Sequence, residues 1–304
     1  MKGRSLVVLL IILSVIISCR NSATKKGESS FASADSISFG EAQKLSAEAI
    51  ADISRNIASP VEIANLLQEM NVPFSPEYLA TSIDAGTQKT EFDKALTLGI
   101  LGADLGYLNM YEKTGSSIDI LSSIRKLAEG INVGQFFDFE TIKRVSLNKS
   151  DLDSLLFLSI DSYTRIDEYL RDNDRGHLSA LMIIGVWIEG QYLATQVMNH
   201  YPDTLLRDRI GEQKIILNDL LLLASPYCND YPKFTDLCRN LREIRDKYRD
   251  IRITYTLGDP VSVEKDGGLV ITQTETSKVD MTAGQLAEII ETSKNIRNKL
   301  LVTN

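Results

Sequence analysis

Histidine and tryptophan are nearly absent from this chain, and their scarcity excludes several kinds of catalytic site. Of 304 residues, two are histidine, His177 and His200, and one is tryptophan, Trp187. A serine or cysteine nucleophile works with a histidine base, and a di-metal centre in a helical bundle uses Glu-x-x-His motifs. His200 ends a predicted helix, where a capping role suits it better than metal binding. We therefore predict no metal site and no catalytic residue.

Several other signals of chemistry are also missing. The sequence contains no glycine-rich phosphate loop after a strand, no Cys-x-x-Cys pair and no Gly-x-Ser-x-Gly elbow. Paired carboxylates can hydrolyse glycosides, but the single tryptophan lies in an apolar helix and does not line an open cleft. No cofactor is therefore predicted, and a carboxylate-based hydrolase remains only an alternative.

The chain also lacks an excess of basic residues. It has 33 Lys and Arg against 41 Asp and Glu, a net charge of -8. Nucleic-acid binding needs a clustered basic face, so we expect no nucleic-acid partner. An arginine-rich run over residues 239–252 alternates with Glu243, Asp246 and Asp250, which predicts a solvated, salt-bridged face. The 43% hydrophobic content is too high for a disordered chain.

The N-terminus has the pattern of an export signal. Lys2 and Arg4 precede a largely apolar run over residues 6–17, which is shorter than the roughly 20 residues that span a bilayer. The sequence Ile16-Ile17-Ser18-Cys19 resembles a bacterial lipobox, in which the cysteine is diacylated and becomes the new N-terminus. We predict a lipoprotein signal peptide over residues 1–18 and lipidation of Cys19, with ordinary signal-peptidase cleavage as the alternative. No later segment is predicted to span a membrane.

Residues 19–38 are predicted to be the lipidated cysteine and a flexible tether, because they are mostly small or polar and include one aromatic, Phe31. Loss of the signal leaves 31 of the 33 basic residues against 41 acidic ones, a net charge of -10. The lipid rather than the charge must then hold the protein to a membrane. No acidic cluster follows Cys19, whereas such a cluster in Bacteroidetes-type lipoproteins resembles a surface-export signal. We therefore expect the outer membrane, facing the periplasm, with surface exposure as the alternative.

The body, residues 39–304, is predicted to be a single all-α domain, an antiparallel bundle of several helices. Apolar residues recur at helical spacing, with capping residues near the starts of the segments. The predicted helices cover residues 40–56, 60–70, 88–112, 117–130, 149–171, 176–200, 204–224, 232–252 and 282–301. Three β-branched runs, 253–256, 261–263 and 269–272, predict a small hairpin near residues 254–273 that packs on the helices.

Two predicted helices, 88–112 and 176–200, are similar to each other at an offset of 85 residues. Matching positions are Ala95 and Ala180, Leu96 and Leu181, Asp104 and Glu189, Tyr107 and Tyr192, and Leu108 and Leu193. This similarity predicts a duplicated helical hairpin whose two helices are partners at the bundle centre. Random similarity between amphipathic helices is the alternative.

Each of these two helices contains an acid that is followed three residues later by a tyrosine. Glu189 lies in a helix so apolar that its carboxyl group needs a partner or a proton. Four glycines nearby predict close helix packing or the approach of a ligand: Gly102, Gly106, Gly185 and Gly190. The functional hypothesis is a pocket that binds a small cationic or polar ligand through Asp104, Tyr107, Glu189 and Tyr192. In the structural alternative, Arg165 or Arg297 neutralises the acids.

The remaining cysteines, Cys228 and Cys238, can form a disulfide in an oxidising compartment. On one straight helix they would lie about 15 Å apart, which is too far for a bond. Pairing requires Cys228 to lie in the loop before helix 232–252 and to fold back onto its second turn.

Three stretches together resemble a family of uncharacterised lipoproteins of Bacteroidetes: the lipobox, Ala95-Leu96 with Gly102–Tyr107, and Gly185–Tyr192. The resemblance covers residues from about 60 to the C-terminus, including the hairpin and Ile296-Arg297-Asn298. It implies an envelope location and a helical body, and it implies no activity. The sequence thus favours a lipid-anchored, non-catalytic binding or interaction module, with a scaffold for envelope proteins as the alternative.

Overall fold

A computed structural model describes residues 66–67, 69–80, 85–147, 152–258, 261–265, 268–272 and 275–302. These residues belong to one compact unit, Ala42–Asn304. The predicted signal peptide, Cys19, the tether and the helix predicted over residues 40–56 lie outside the described residues.

Eight α-helices are present in this described part, and they pack as a bundle. They are α1 (Glu91–Met110), α2 (Thr114–Glu129), α3 (Phe139–Leu147), α4 (Leu152–Asp172), α5 (Gly176–His200), α6 (Thr204–Ala224), α7 (Pro232–Lys247) and α8 (Ala283–Val302). The predicted bounds of α5 and α6 are confirmed. Helix α7 is shorter than predicted, and the sequence patterns did not predict α3.

The centre of the bundle is α5, on which α1, α4, α6 and α8 pack. Helix α5 is long and apolar enough to cross a membrane. The expectation that no segment after the N-terminal signal has such a length and composition is therefore wrong. However, 89% of the most apolar 18-residue window of α5 is buried inside the bundle. Contact with neighbouring helices accounts for this apolarity, as in the core helix of a large bundle.

Helices α1 and α5 touch through their backbones at two glycines. A Cβ atom at Gly99 would lie 2.0 Å from the Met182 carbonyl oxygen, and one at Gly185 would lie 2.3 Å from the Leu96 carbonyl oxygen. Toward both C-termini the contact continues to Asp104 and Glu189, so the two helices run in the same direction here. The predicted pairing of the two similar helices is confirmed, and the duplication that would explain it stays a prediction.

Three of the four glycines that were expected to mark close packing do not do so. A Cβ atom at Gly102, Gly106 or Gly190 would have nothing within 4 Å, so the expectation of close packing is wrong for them and correct for Gly185. Gly99 was not predicted to be a close-packing position, because one glycine in an apolar helix does not indicate which face of the helix it occupies.

The hairpin before α8 is a ribbon with two antiparallel strand pairs. Strands β1 (Arg252–Leu257) and β4 (Glu275–Asp280) pair with Ile253 opposite Val279, and β2 (Val261–Lys265) pairs with β3 (Gly268–Thr272). The ribbon packs on α6 as expected: Val279 covers Gly211, and the Ser277 hydroxyl donates to the Glu212 carboxylate. Strand β4 was not predicted, because only Val279 among its residues is apolar.

Cys228 and Cys238 form a disulfide, with their Cα atoms 5.9 Å apart. Cys228 follows the short 3₁₀ turn Ser225–Tyr227, and Cys238 lies in the second turn of α7. This is the arrangement that pairing was expected to require. Ion pairs are also present in the arginine-rich run over residues 239–252, with Arg249 on Asp246 at 2.9 Å and Lys247 on Glu288 at 3.1 Å.

Candidate functional site: a buried acid–arginine network

The two acids of the similar helices face each other in the core. Asp104 on α1 and Glu189 on α5 both have no solvent-exposed surface, and the Asp104 carboxyl group hydrogen-bonds to the Glu189 carboxylate. Two ionised carboxylates in hydrogen-bonding contact, both shielded from water, would repel each other strongly. The pair therefore needs a cation, a proton or both.

The cation is Arg297 of α8. Its Nη2 and Nε atoms donate to the two carboxylate oxygens of Glu189 at 2.6 and 2.9 Å, a bidentate geometry. Its guanidinium carbon lies 4.3 Å from the centre of the Tyr192 ring, which adds a cation–π contact. The alternative of neutralisation by arginine is thus correct for Arg297 and wrong for Arg165, which pairs with Asp161 at the surface.

The proton lies on Asp104. Its Oδ2 accepts a hydrogen bond from the Ala80 N–H at 2.8 Å, whereas no donor group among the described residues bonds to its buried Oδ1. Burial and the adjacent Glu189 charge hold the pKa of Asp104 well above its usual range, and the Ala80 N–H and Arg297 only partly oppose this. Burial also raises the pKa of Glu189, but the bidentate Arg297 opposes that shift. Asp104 is therefore the acid that keeps the proton, and its O–H group donates a hydrogen bond to the Glu189 carboxylate.

The network also holds the segment that precedes α1. Besides the bond from Ala80 to Asp104, the Arg297 Nη2 atom donates to the Tyr78 carbonyl oxygen at 3.3 Å. The Ser75 N–H donates to the Tyr107 hydroxyl at 3.1 Å, and the Tyr78 hydroxyl lies 3.1 Å from His200 Nδ1. Residues 75–80 are thus fastened across the C-terminal halves of α1 and α5.

The four residues of the hypothesised pocket do not all meet. Asp104, Glu189 and Tyr192 belong to the network around Arg297, whereas Tyr107 bonds to Ser75 and stacks on Phe74 with ring centres 5.6 Å apart. The backbone partners Ala80 and Tyr78 were missed, because a backbone group carries no sequence signal of its partner. Chemically, the arrangement is an internally neutral, buried cluster that stabilises the contacts among α1, α5, α8 and residues 75–80.

Both histidines have structural roles. His200 Nδ1 lies 2.9 Å from the Gln196 carbonyl oxygen at the end of α5, which confirms the predicted capping role. The His177 ring stacks on Tyr231 with centres 5.2 Å apart, and burial lowers its pKa. No group of three or more acidic, histidine or cysteine side chains among the described residues is arranged to hold a metal ion.

Comparison with known proteins adds no relative. No protein-family model, no curated protein and no solved structure matches this chain. Its function is therefore inferred from its own residues.

Proposed function

We propose that this chain is a lipid-anchored protein of the bacterial cell envelope whose helical body is a non-catalytic binding or interaction module. One observation carries the non-catalytic part: Arg297 occupies the place that a cationic ligand was expected to take beside Glu189. With both acids buried and their charge compensated within the chain, neither can reach a substrate. Binding would then use the surface of the bundle.

The Cys228–Cys238 disulfide supports the proposed location. Disulfides form and persist in oxidising compartments such as the bacterial periplasm and are rare in the cytosol. The signal-like N-terminus and the lipobox at Cys19 favour the same compartment and add a lipid anchor. The outer membrane, facing the periplasm, remains the site that we propose.

Changing Cys19→Ala should release the protein from the membrane into a soluble fraction outside the cytoplasm, because one thiol carries the proposed anchor. Ser18→Ala is the matched control, since it keeps a small residue before the cysteine and should leave the protein in the membrane. Fractionation with immunoblotting, with and without an inhibitor of lipoprotein signal peptidase, measures the change. Membrane association of Cys19→Ala equal to that of the unchanged protein would refute the anchor.

A scaffold for envelope proteins is the second candidate, and the ribbon before α8 favours it. Two-stranded ribbons are marginally stable in water, and on β1 the side chains of Thr254, Tyr255 and Thr256 are all exposed. Crosslinking in cells followed by purification from membranes would test for a reproducible protein partner. Asp104 and Glu189 are buried, so this pair does not support the carboxylate-based hydrolase alternative.

A further inference from the structure

A surface hollow of about 420 Å³ lies between α2, α3 and α4, and it shares no residue with the acid–arginine network. Residues from α2, from the turn after it, from the start of α3 and from α4 form its walls. Six of its seven lining residues lie within residues 125–139, and Tyr169 of α4 completes the wall.

Two opposite charges line the hollow without pairing with each other. Arg125 and Glu129 are one turn apart on α2, a spacing of roughly 6 Å between Cβ atoms at which such residues commonly form an ion pair. Arg125 instead contacts Glu140 at 3.3 Å and lies 4.6 Å from the centre of the Phe139 ring. Within the described ranges, Glu129 is in no ion pair. The Arg125 guanidinium, which pairs with Glu140, and a carboxylate with no ion pair among the described residues thus border the same space.

The rest of the lining supplies amides and an apolar wall. Asn132 and Gln135 present side-chain amides, while the rings of Phe139 and Tyr169 form the apolar side. A Cβ atom at Gly134 would lie 3.1 Å from the Cγ atom of Glu129, so the aliphatic part of the Glu129 side chain lies against this glycine.

We propose that the hollow binds a small zwitterionic ligand with the chemistry of an α-amino acid. Its carboxylate would bind Arg125, its ammonium group would bind Glu129, and its apolar part would lie against Phe139 and Tyr169. A simple anion would be repelled by Glu129 and by the Glu140 that contacts Arg125, and a simple cation would be repelled by Arg125. A neutral sugar could form hydrogen bonds but no ion pair with these groups. This proposal rests on the binding role proposed above and gives that role a ligand class.

Isothermal titration calorimetry of the full chain in detergent, with each of the twenty common α-amino acids as probe, tests the proposal. We expect at least one of them to bind, and its amide and its N-acetyl derivative, which each lack one charge, to bind at least tenfold more weakly. No binding by any amino acid up to about 10 mM would overturn the proposal. Binding of both derivatives as tight as that of the parent amino acid would also overturn it.

Variants locate the site. Arg125→Gln and Glu129→Gln should each weaken binding of the best amino acid at least tenfold. Both charged residues are exposed, so these two variants should melt like the unchanged protein. Lys126→Gln, on the same helix but outside the hollow, is the control and should bind normally. Unchanged binding in Arg125→Gln and Glu129→Gln would refute this site, independently of where Cys19→Ala places the protein in the cell.

Discussion

Arg297→Met should lower the free energy of unfolding by about 3–5 kcal/mol, one of the two largest effects expected in this protein. The substitution keeps much of the apolar volume but removes both hydrogen bonds to Glu189, the bond to the Tyr78 carbonyl and the contact with the Tyr192 ring. It leaves Glu189 as a buried charge without a cation, and such charges are strongly destabilising. Urea unfolding at neutral pH, followed by circular dichroism, measures the loss.

Arg165→Met is the matched control, because Arg165 forms its ion pair with Asp161 while about half of its side chain is exposed. Its loss should be below about 1 kcal/mol. The double variant Arg297→Met with Glu189→Gln should lose less than the two single losses together, because it removes the uncompensated charge as well as the pair. Additive losses would mean that Glu189 and Arg297 do not act as a unit.

Gly99→Ala and Gly185→Ala should each lower the free energy of unfolding by about 3 kcal/mol, the upper end of the usual cost of overpacking. The new Cβ atoms would meet backbone carbonyl oxygens at 2.0 and 2.3 Å, and a backbone atom in a buried helix cannot rotate away as a side chain can. Relief therefore requires α1 and α5 to separate, which disturbs the rest of their contact. Thermal and urea unfolding of the purified variants measure the effect.

Changing Gly102 or Gly190 to alanine should have the opposite effect on the free energy of unfolding. No atom lies within 4 Å of the position of a Cβ at either residue, and alanine is favoured over glycine in a helix by up to about 1 kcal/mol. Stability should therefore stay equal or rise slightly. Equal destabilisation at all four glycines would contradict the described crossing of α1 and α5.

The helical periodicity predicted long, strongly patterned elements well and short ones poorly. Helices α5 and α6 each have more than twenty residues, so many turns repeat the pattern, and a capping Asp203 marks the start of α6. Helix α3 has nine residues, and its start depends on Asp138, whose carboxylate accepts the Thr141 N–H at 3.0 Å. Strand β4 exists because β1 pairs with it, which is a contact between segments about twenty residues apart.

The sequence named the two acids and gave neutralisation by Arg165 or Arg297 as the structural alternative, whereas the pocket hypothesis also included Tyr107, which bonds to Ser75 instead. Burial of Asp104 and Glu189 could be inferred from the apolar residues around them, and two arginines could be named as possible partners. The choice of Arg297 depends on how α8 packs against α5, and the role of Ala80 depends on where residues 75–80 cross α1. Both are tertiary contacts, and no local pattern in a single sequence predicts them.

The central claim is that the buried acids form a neutral structural network, and the pH dependence of stability in Asp104→Asn tests it most directly. A carboxyl group with a raised pKa in the folded state contributes stability that is full below its unfolded pKa and is lost as the pH rises through its folded pKa. Asparagine cannot ionise, yet it can donate to Glu189 and accept the Ala80 N–H. Because Glu189 and Asp219 also have raised pKa values, the difference between the two proteins isolates Asp104.

We therefore expect Asp104→Asn to be at least as stable as the unchanged protein at neutral pH, and its stability to fall less steeply as the pH rises above about 4. A variant that loses several kcal/mol at neutral pH, while the slope with pH stays the same, would contradict the account. It would mean that Asp104 is an ionised carboxylate, as a site for a cationic ligand requires.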